Sequence, residues 1–206
     1  GIEGKSDDLL LIGSEDNKIK IIDGEEVGKI ILINGSVTCF CPFENTNNNH
    51  NSYYFGTSIG TIGCIKIKDK ENVELLFQLE DKQETEVIDI KLFDINFDGK
   101  KELISIRTNG LVEIYTINQE DQTINMICKF DTHERLTGID LGKYKDKEHF
   151  EIILSSLSGL VFSLMPELTI FQKLKNIDAR TLSKNIAHEE REIEELSKKK
   201  KKEKKY

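Results

Sequence analysis

Four stretches of the chain repeat one hydrophobic pattern. Each opens on three or four consecutive apolar residues, passes through a polar stretch that ends in Gly or Asn, and resumes with apolar residues at alternate positions. They read LLLIGSEDNKIKII (9–22), YYFGTSIGTIGCIKI (53–67), ELISIRTNGLVEIYTI (102–117) and EIILSSLSGLVFSLM (151–165). A continuous apolar run fits a strand buried on both faces, and an alternating run fits the strand paired beside it. The residue between the runs must tolerate positive φ, which Gly does freely and Asn moderately well. Each stretch therefore predicts a β-hairpin, with its turn on Asn17, Gly60, Gly110 or Gly159, at intervals of 43, 50 and 49 residues.

Shorter apolar runs lie between the hairpins: GKIILI then SVTCFCPF, VELLFQLE then EVIDIKLFDI, and INMICKFD then RLTGIDL. They add two strands per repeat and bring each to four. A β-sandwich also has regular strands, but it does not repeat one hairpin at a fixed period. Four antiparallel strands every 43–50 residues are the signature of a propeller blade. The expected fold is thus all-β, with about four antiparallel four-stranded blades over residues 1–172. That is too few to close a ring of about six to eight blades. Open strand edges are a liability, and the chain begins without Met, so the missing blades are expected to precede Gly1.

The pattern changes over residues 173–206, read as a linker and an amphipathic helix with a lysine-rich end. Leu182, Ile186, Ile193 and Leu196 are spaced by 4, 7 and 3 residues, which places them on one helix face. Such a face can pack on the propeller or start an intersubunit coiled coil. The end, KKKKKEKK (198–205), reads as a solvated helix end, an anionic-membrane patch or a nuclear signal.

Composition narrows the function. The 206 residues are 37% apolar and 32% charged, and no apolar run approaches the length of a membrane span. The net charge is -8, but without residues 198–205 it is -14, from 22 Lys and Arg against 36 Asp and Glu. An acidic body argues against nucleic-acid binding, which draws most of its affinity from phosphate contacts. Cys39, Cys41, Cys64 and Cys128 form no C-x-x-C pair, and the histidines are scattered. All four are expected to be buried, reduced strand thiols of a reducing, cytoplasmic compartment, with Cys39 and Cys41 on one strand face. No nucleophile elbow or phosphate loop is present, and GTSIG (56–60) sits within a hairpin, so no enzymatic activity is expected.

One motif carries possible chemistry. In FDINFDGKKE, Asp94, Asn96 and Asp98 alternate before Gly99, and Glu102 follows, as a calcium loop begins. Position 12 of an EF-hand would fall on Ser105, so that motif fails, while a nine-residue calcium loop using Asp94, Asn96, Asp98 and Glu102 remains feasible. The same side chains also suit a metal-free turn, because Asp and Asn accept hydrogen bonds from nearby main-chain N–H groups. The corresponding loop of the next repeat, DLGKYKDKEHFE (140–151), keeps acids only at its ends, which favours the turn; no cofactor is expected, with calcium as the alternative.

Three segments, YYFGTSIGTIGCIKI, LFDINFDGKKELISIRTNGLVEIYTIN and RLTGIDLGKYKDKEHFEIILSSLSGLVFSLMPE, carry a resemblance in order and spacing. The chain resembles the subunit-seven family of the BBSome, the Bardet-Biedl syndrome coat complex, over the late blades of the N-terminal propeller and the start of the coiled coil. The Asn-rich ENTNNNHNS (44–52) and the lysine tail depart from it. The resemblance implies a non-enzymatic scaffold in ciliary membrane-protein trafficking with intraflagellar transport. Its implied partners are other BBSome subunits, especially the second subunit through the coiled coil, with an Arf-like GTPase and ciliary cargo engaged indirectly. It implies residence in the cytoplasm, the cilium and the ciliary base, and only peripheral attachment to the ciliary membrane. Two other readings fit the residues: a calcium-dependent ligand-binding propeller, and another intracellular propeller scaffold such as the sister second subunit.

Overall fold

A computed structural model describes residues 9–43, 51–80, 84–95, 98–118, 120–142 and 151–164. Among them β1 (Leu9–Ser14), β2 (Lys18–Asp23) and β3 (Glu26–Leu32) form a first sheet. A second contains β4 (Val37–Phe43), β5 (Asn51–Thr57), β6 (Ile62–Ile67) and β7 (Val73–Leu79). A third contains β8 (Val87–Phe93), β9 (Glu102–Arg107), β10 (Leu111–Ile117) and β11 (Ile124–Asp131). The fourth contains β12 (Leu136–Gly142), β13 (Glu151–Ser156) and β14 (Val161–Leu164). All pairs are antiparallel and join strands consecutive in sequence.

The four expected hairpins are β1–β2, β5–β6, β9–β10 and β13–β14. Their turns share one geometry. The N–H of Gly60 donates to the Thr57 carbonyl (3.1 Å), that of Gly110 to Arg107 (3.1 Å) and that of Gly159 to Ser156 (3.0 Å). A three-residue loop of this kind ends on a left-handed residue, and φ is +59° at Asn17, +88° at Gly60, +95° at Gly110 and +86° at Gly159. The three glycine turns are also tied to the connections entering their own sheets: Ser58 N–H donates to the Ser36 carbonyl (2.8 Å), Thr108 to Glu86 (3.1 Å) and Leu157 to Arg135 (2.7 Å).

The four expected blades correspond to four antiparallel sheets. Two sheets have four strands, and two have three among the described residues. In the complete sheets the second and third strands form the hairpin, as β1–β2 does in the first sheet and β13–β14 in the last. The first sheet accordingly holds equivalents of the second, third and fourth strands, and the last holds the first three. No helix occurs among the described residues, and none there could cross a membrane. The chain divides into units Gly1–Pro166 and Glu167–Tyr206, and the described residues all lie in the first.

Adjacent sheets of this unit stack face to face, and strand alternation decides which neighbour each residue meets. Phe55 joins Ile19, Ile21, Ile31 and Ile65 between the first and second sheets. Tyr54, one residue earlier, joins Leu103 and Tyr115 between the second and third. In β9, Leu103 faces the second sheet, while Ile104 and Ile106 join Ile139, Ile152 and Leu154 of the fourth. The first strands β4, β8 and β12 lie side by side. Each carries an extra residue at the same place, Thr38, Ile88 or Thr137, where its register shifts. Bulges strengthen the local twist, and this one recurs in all three described first strands.

Candidate functional site

The Asp94 loop folds onto its own backbone. Both Asp94 carboxylate oxygens accept main-chain hydrogen bonds, Oδ1 from Asp98 N–H (3.0 Å) and Oδ2 from Gly99 N–H (2.8 Å). Asp98 Oδ1 accepts from Lys100 N–H (2.8 Å), and Gly99 takes φ +87° at the bend. Glu102, buried at the start of β9, accepts the Ile95 N–H through Oε2 (3.0 Å). Burial pushes its carboxyl above the ordinary range, and the charges of Asp98 and Asp94 add to that rise. Asn96 lies outside the described residues. Among the described residues no group of three or more His, Cys, Asp or Glu is arranged to hold a metal.

The strongest electrostatic feature lies elsewhere. Arg107, at the end of β9, and Glu113, in β10, are both buried, with Nε–Oε2 at 2.7 Å. The same Glu113 oxygen accepts from the Tyr115 hydroxyl (2.9 Å) and the Ser105 hydroxyl (3.4 Å), and Lys129 Nζ approaches Oε1 at 3.3 Å. Arg107 Nη1 donates to the carbonyls of Gly60 (3.0 Å) and Thr85 (2.8 Å). One guanidinium thus ties the third sheet to the hairpin turn of the second. Burial, then the Glu113 charge, pushes the Tyr115 phenol up, so it stays a neutral donor. Sequence reasoning missed this cluster. Its signal was a basic residue closing one apolar run and an acidic residue inside the next, each in phase with core neighbours.

Two thiols, Cys41 and Cys64, are buried as expected, and Cys39 is partly buried. Cys39, Cys41 and Cys64 share the cluster between the second and third sheets. Burial raises Cys41 to about 11 and Cys39 and Cys64 to about 12. Cys128 is a correction: it is exposed on β11, the outer strand of its sheet. A strand residue is buried only where a neighbour covers its face, and the fourth sheet has no described outer strand alongside β11. Leu182, Ile186, Ile193, Leu196 and the lysine-rich end lie outside the described residues.

A radial stack of hairpin-built sheets, bonded through buried polar groups, fits one family by sequence. Residues 2–166 match the family model described as the BBS7 beta-propeller. The chain belongs to the BBS7 β-propeller family. The mouse BBSome complex member BBS7 is 26% identical over 162 residues, covering 77% of this chain and 22% of that protein. The human BBSome complex member BBS2 is 27% identical over 164 residues, covering 80% and 20%. The chain therefore spans about a fifth of the length of these curated relatives. Among solved structures, BBS1N in complex with ARL6DN is similar with a TM-score of 0.54 at 15% identity, over 80% of this chain and 49% of that one. The WD40 β-propeller domain of Doa1 gives 0.54 at 17% identity, over 81% and 49%. Both likenesses speak to the fold: successive propeller blades.

Proposed function

We propose that the chain is part of a non-enzymatic scaffold subunit of the BBSome coat, acting in ciliary membrane-protein trafficking with intraflagellar transport. The match of residues 2–166 to the BBS7 β-propeller carries this reading. The chemistry of the sheets agrees with it: the buried Arg107–Glu113 pair serves sheet cohesion, and the thiols of Cys39, Cys41 and Cys64 are held far from the reactive thiolate form. Residues 1–172 supply the propeller portion, and residues 173–206 supply a linker and helix. Leu182, Ile186, Ile193 and Leu196 pair that helix with the second subunit. Other BBSome subunits are direct partners, and an Arf-like GTPase and ciliary cargo are engaged through the assembly. The protein works in the cytoplasm and cilium, including the ciliary base, and meets the ciliary membrane peripherally. The Asp94 loop is an architectural turn, since both Asp94 oxygens already serve the backbone.

Affinity purification from ciliated cells, followed by mass spectrometry, tests the assignment. Recovery of other BBSome subunits is expected, and recovery of a different assembly overturns it. The near-equal identity to the second subunit keeps one further reading open. Purified complexes would then contain a separate BBS7 and lack BBS2. Calorimetry with calcium tests the loop: no binding is expected, and tight binding lost in Asp94→Ala would replace the scaffold with a calcium-dependent ligand-binding propeller.

A further inference from the structure

Stacking of the sheets accounts for apolar residues on strand faces, but it does not account for apolar residues on turn tips. The hairpin loops of the second and fourth sheets place Ile59 and Leu157 at their tips, 40% and 64% exposed, with Leu160 beside them at 53%. Leu79 ends β7 at the same end of the sheets and is 42% exposed. Turn tips ordinarily carry Gly, Asn, Asp and Ser, and large exposed apolar groups there cost solubility. At the opposite end, the described turns 24–25, 68–72, 94–95, 98–101 and 120–123 expose no large apolar side chain.

The same end is acidic. Glu80, Glu84 and Glu86 lie there, and Asp131 and Glu134 lie in the connection that bonds to Gly110 and Leu157. Among the described residues, Arg107 there is buried against Glu113, Lys18 and Lys20 face Asp16, and Arg135 is exposed with His133 beside Asp131. A concavity of about 320 Å³ opens there between the first and second sheets, with Ile33 and Ile59 in its wall and Glu80 and Glu84 in its lining.

The geometry points to the hairpin-turn end of the sheets as a docking face for a basic segment bearing apolar side chains. The apolar tips and the groove take its aliphatic groups, and the carboxylates around them take its lysines or arginines. This inference rests on the scaffold reading and adds the face used and the chemistry of its partner.

The test titrates the isotope-labelled full chain with a synthetic peptide of alternating leucine and lysine, recording backbone amide shifts and affinity. Shifts at 15–17, 34–36, 58–60, 132–135 and 157–160 are expected. The combined variant Ile59→Ser and Leu157→Ser should weaken binding about tenfold, and Glu84→Gln about threefold. Glu71→Gln, at the other end, should leave affinity unchanged. Amide spectra of each variant establish that it is folded. Shifts at the opposite end, equal losses in Glu71→Gln, equal binding of a leucine-free lysine peptide, self-association in place of peptide binding, or no binding would each overturn the inference. None of those results alters which subunits co-purify, so the two readings fail separately.

Discussion

Replacing Arg107 by Met keeps most of the side-chain volume and removes the charge that Glu113 was built around. Breaking a buried ion pair from one side typically costs about 3–5 kcal/mol, because the remaining charge is stranded. Here Tyr115, Ser105 and the half-exposed Lys129 still support Glu113, which puts the expected loss near 3 kcal/mol, at the lower end of that range. The Gly60 and Thr85 carbonyls also lose their donor, loosening the second sheet from the third. At a urea slope of about 2 kcal/mol per molar, the unfolding midpoint should fall by about 1.5 M. Adding Glu113→Gln to Arg107→Met removes the stranded charge and should recover about half of the loss. Urea unfolding followed by circular dichroism reads all three midpoints. If Arg107→Met lies within about 1 kcal/mol of the parent, or Glu113→Gln deepens its loss, the pair does not hold the sheets together in the way described.

Thiol labelling of the native chain at pH 8 should modify Cys128 rapidly, while Cys39, Cys41 and Cys64 label far more slowly; fast modification of a second thiol would contradict their packing between the second and third sheets. Glu102 has a raised folded-state pKa, so the stability it contributes is present below its unfolded value of about 4.3 and is lost as pH rises through the folded value. Glu102→Gln should therefore gain on the parent between pH 4 and pH 7, and a parent advantage that grew with pH would mean the carboxylate is needed ionised. Gly63→Ala should destabilise by about 1–3 kcal/mol, because a methyl there overlaps the buried Phe55 ring. Asn17→Gly relieves a left-handed backbone and should cost nothing or stabilise by up to about 1 kcal/mol, both read from thermal midpoints.

The residues decided by local chemistry were legible in the chain itself. A left-handed turn residue and the runs on either side of it specify a hairpin without reference to anything distant. Asn17, Gly60, Gly110 and Gly159 therefore marked all four hairpins, and their spacing marked the blades. Alternation also placed Cys39 and Cys41 on a shared face. Coverage is different, because it belongs to the neighbouring sheet. Cys128 has the pattern of a buried strand residue and lies exposed. Arg107 found its acceptors on Gly60, 47 residues earlier, and on Thr85. The Asp94 carboxylate, which by type could serve a cation, has both oxygens turned to its own main chain. Periodicity is written into each strand, so the sequence alone determined the repeating hairpins; burial, charge pairing and the exposed tips arise between strands far apart in the chain, so only the tertiary structure decided them.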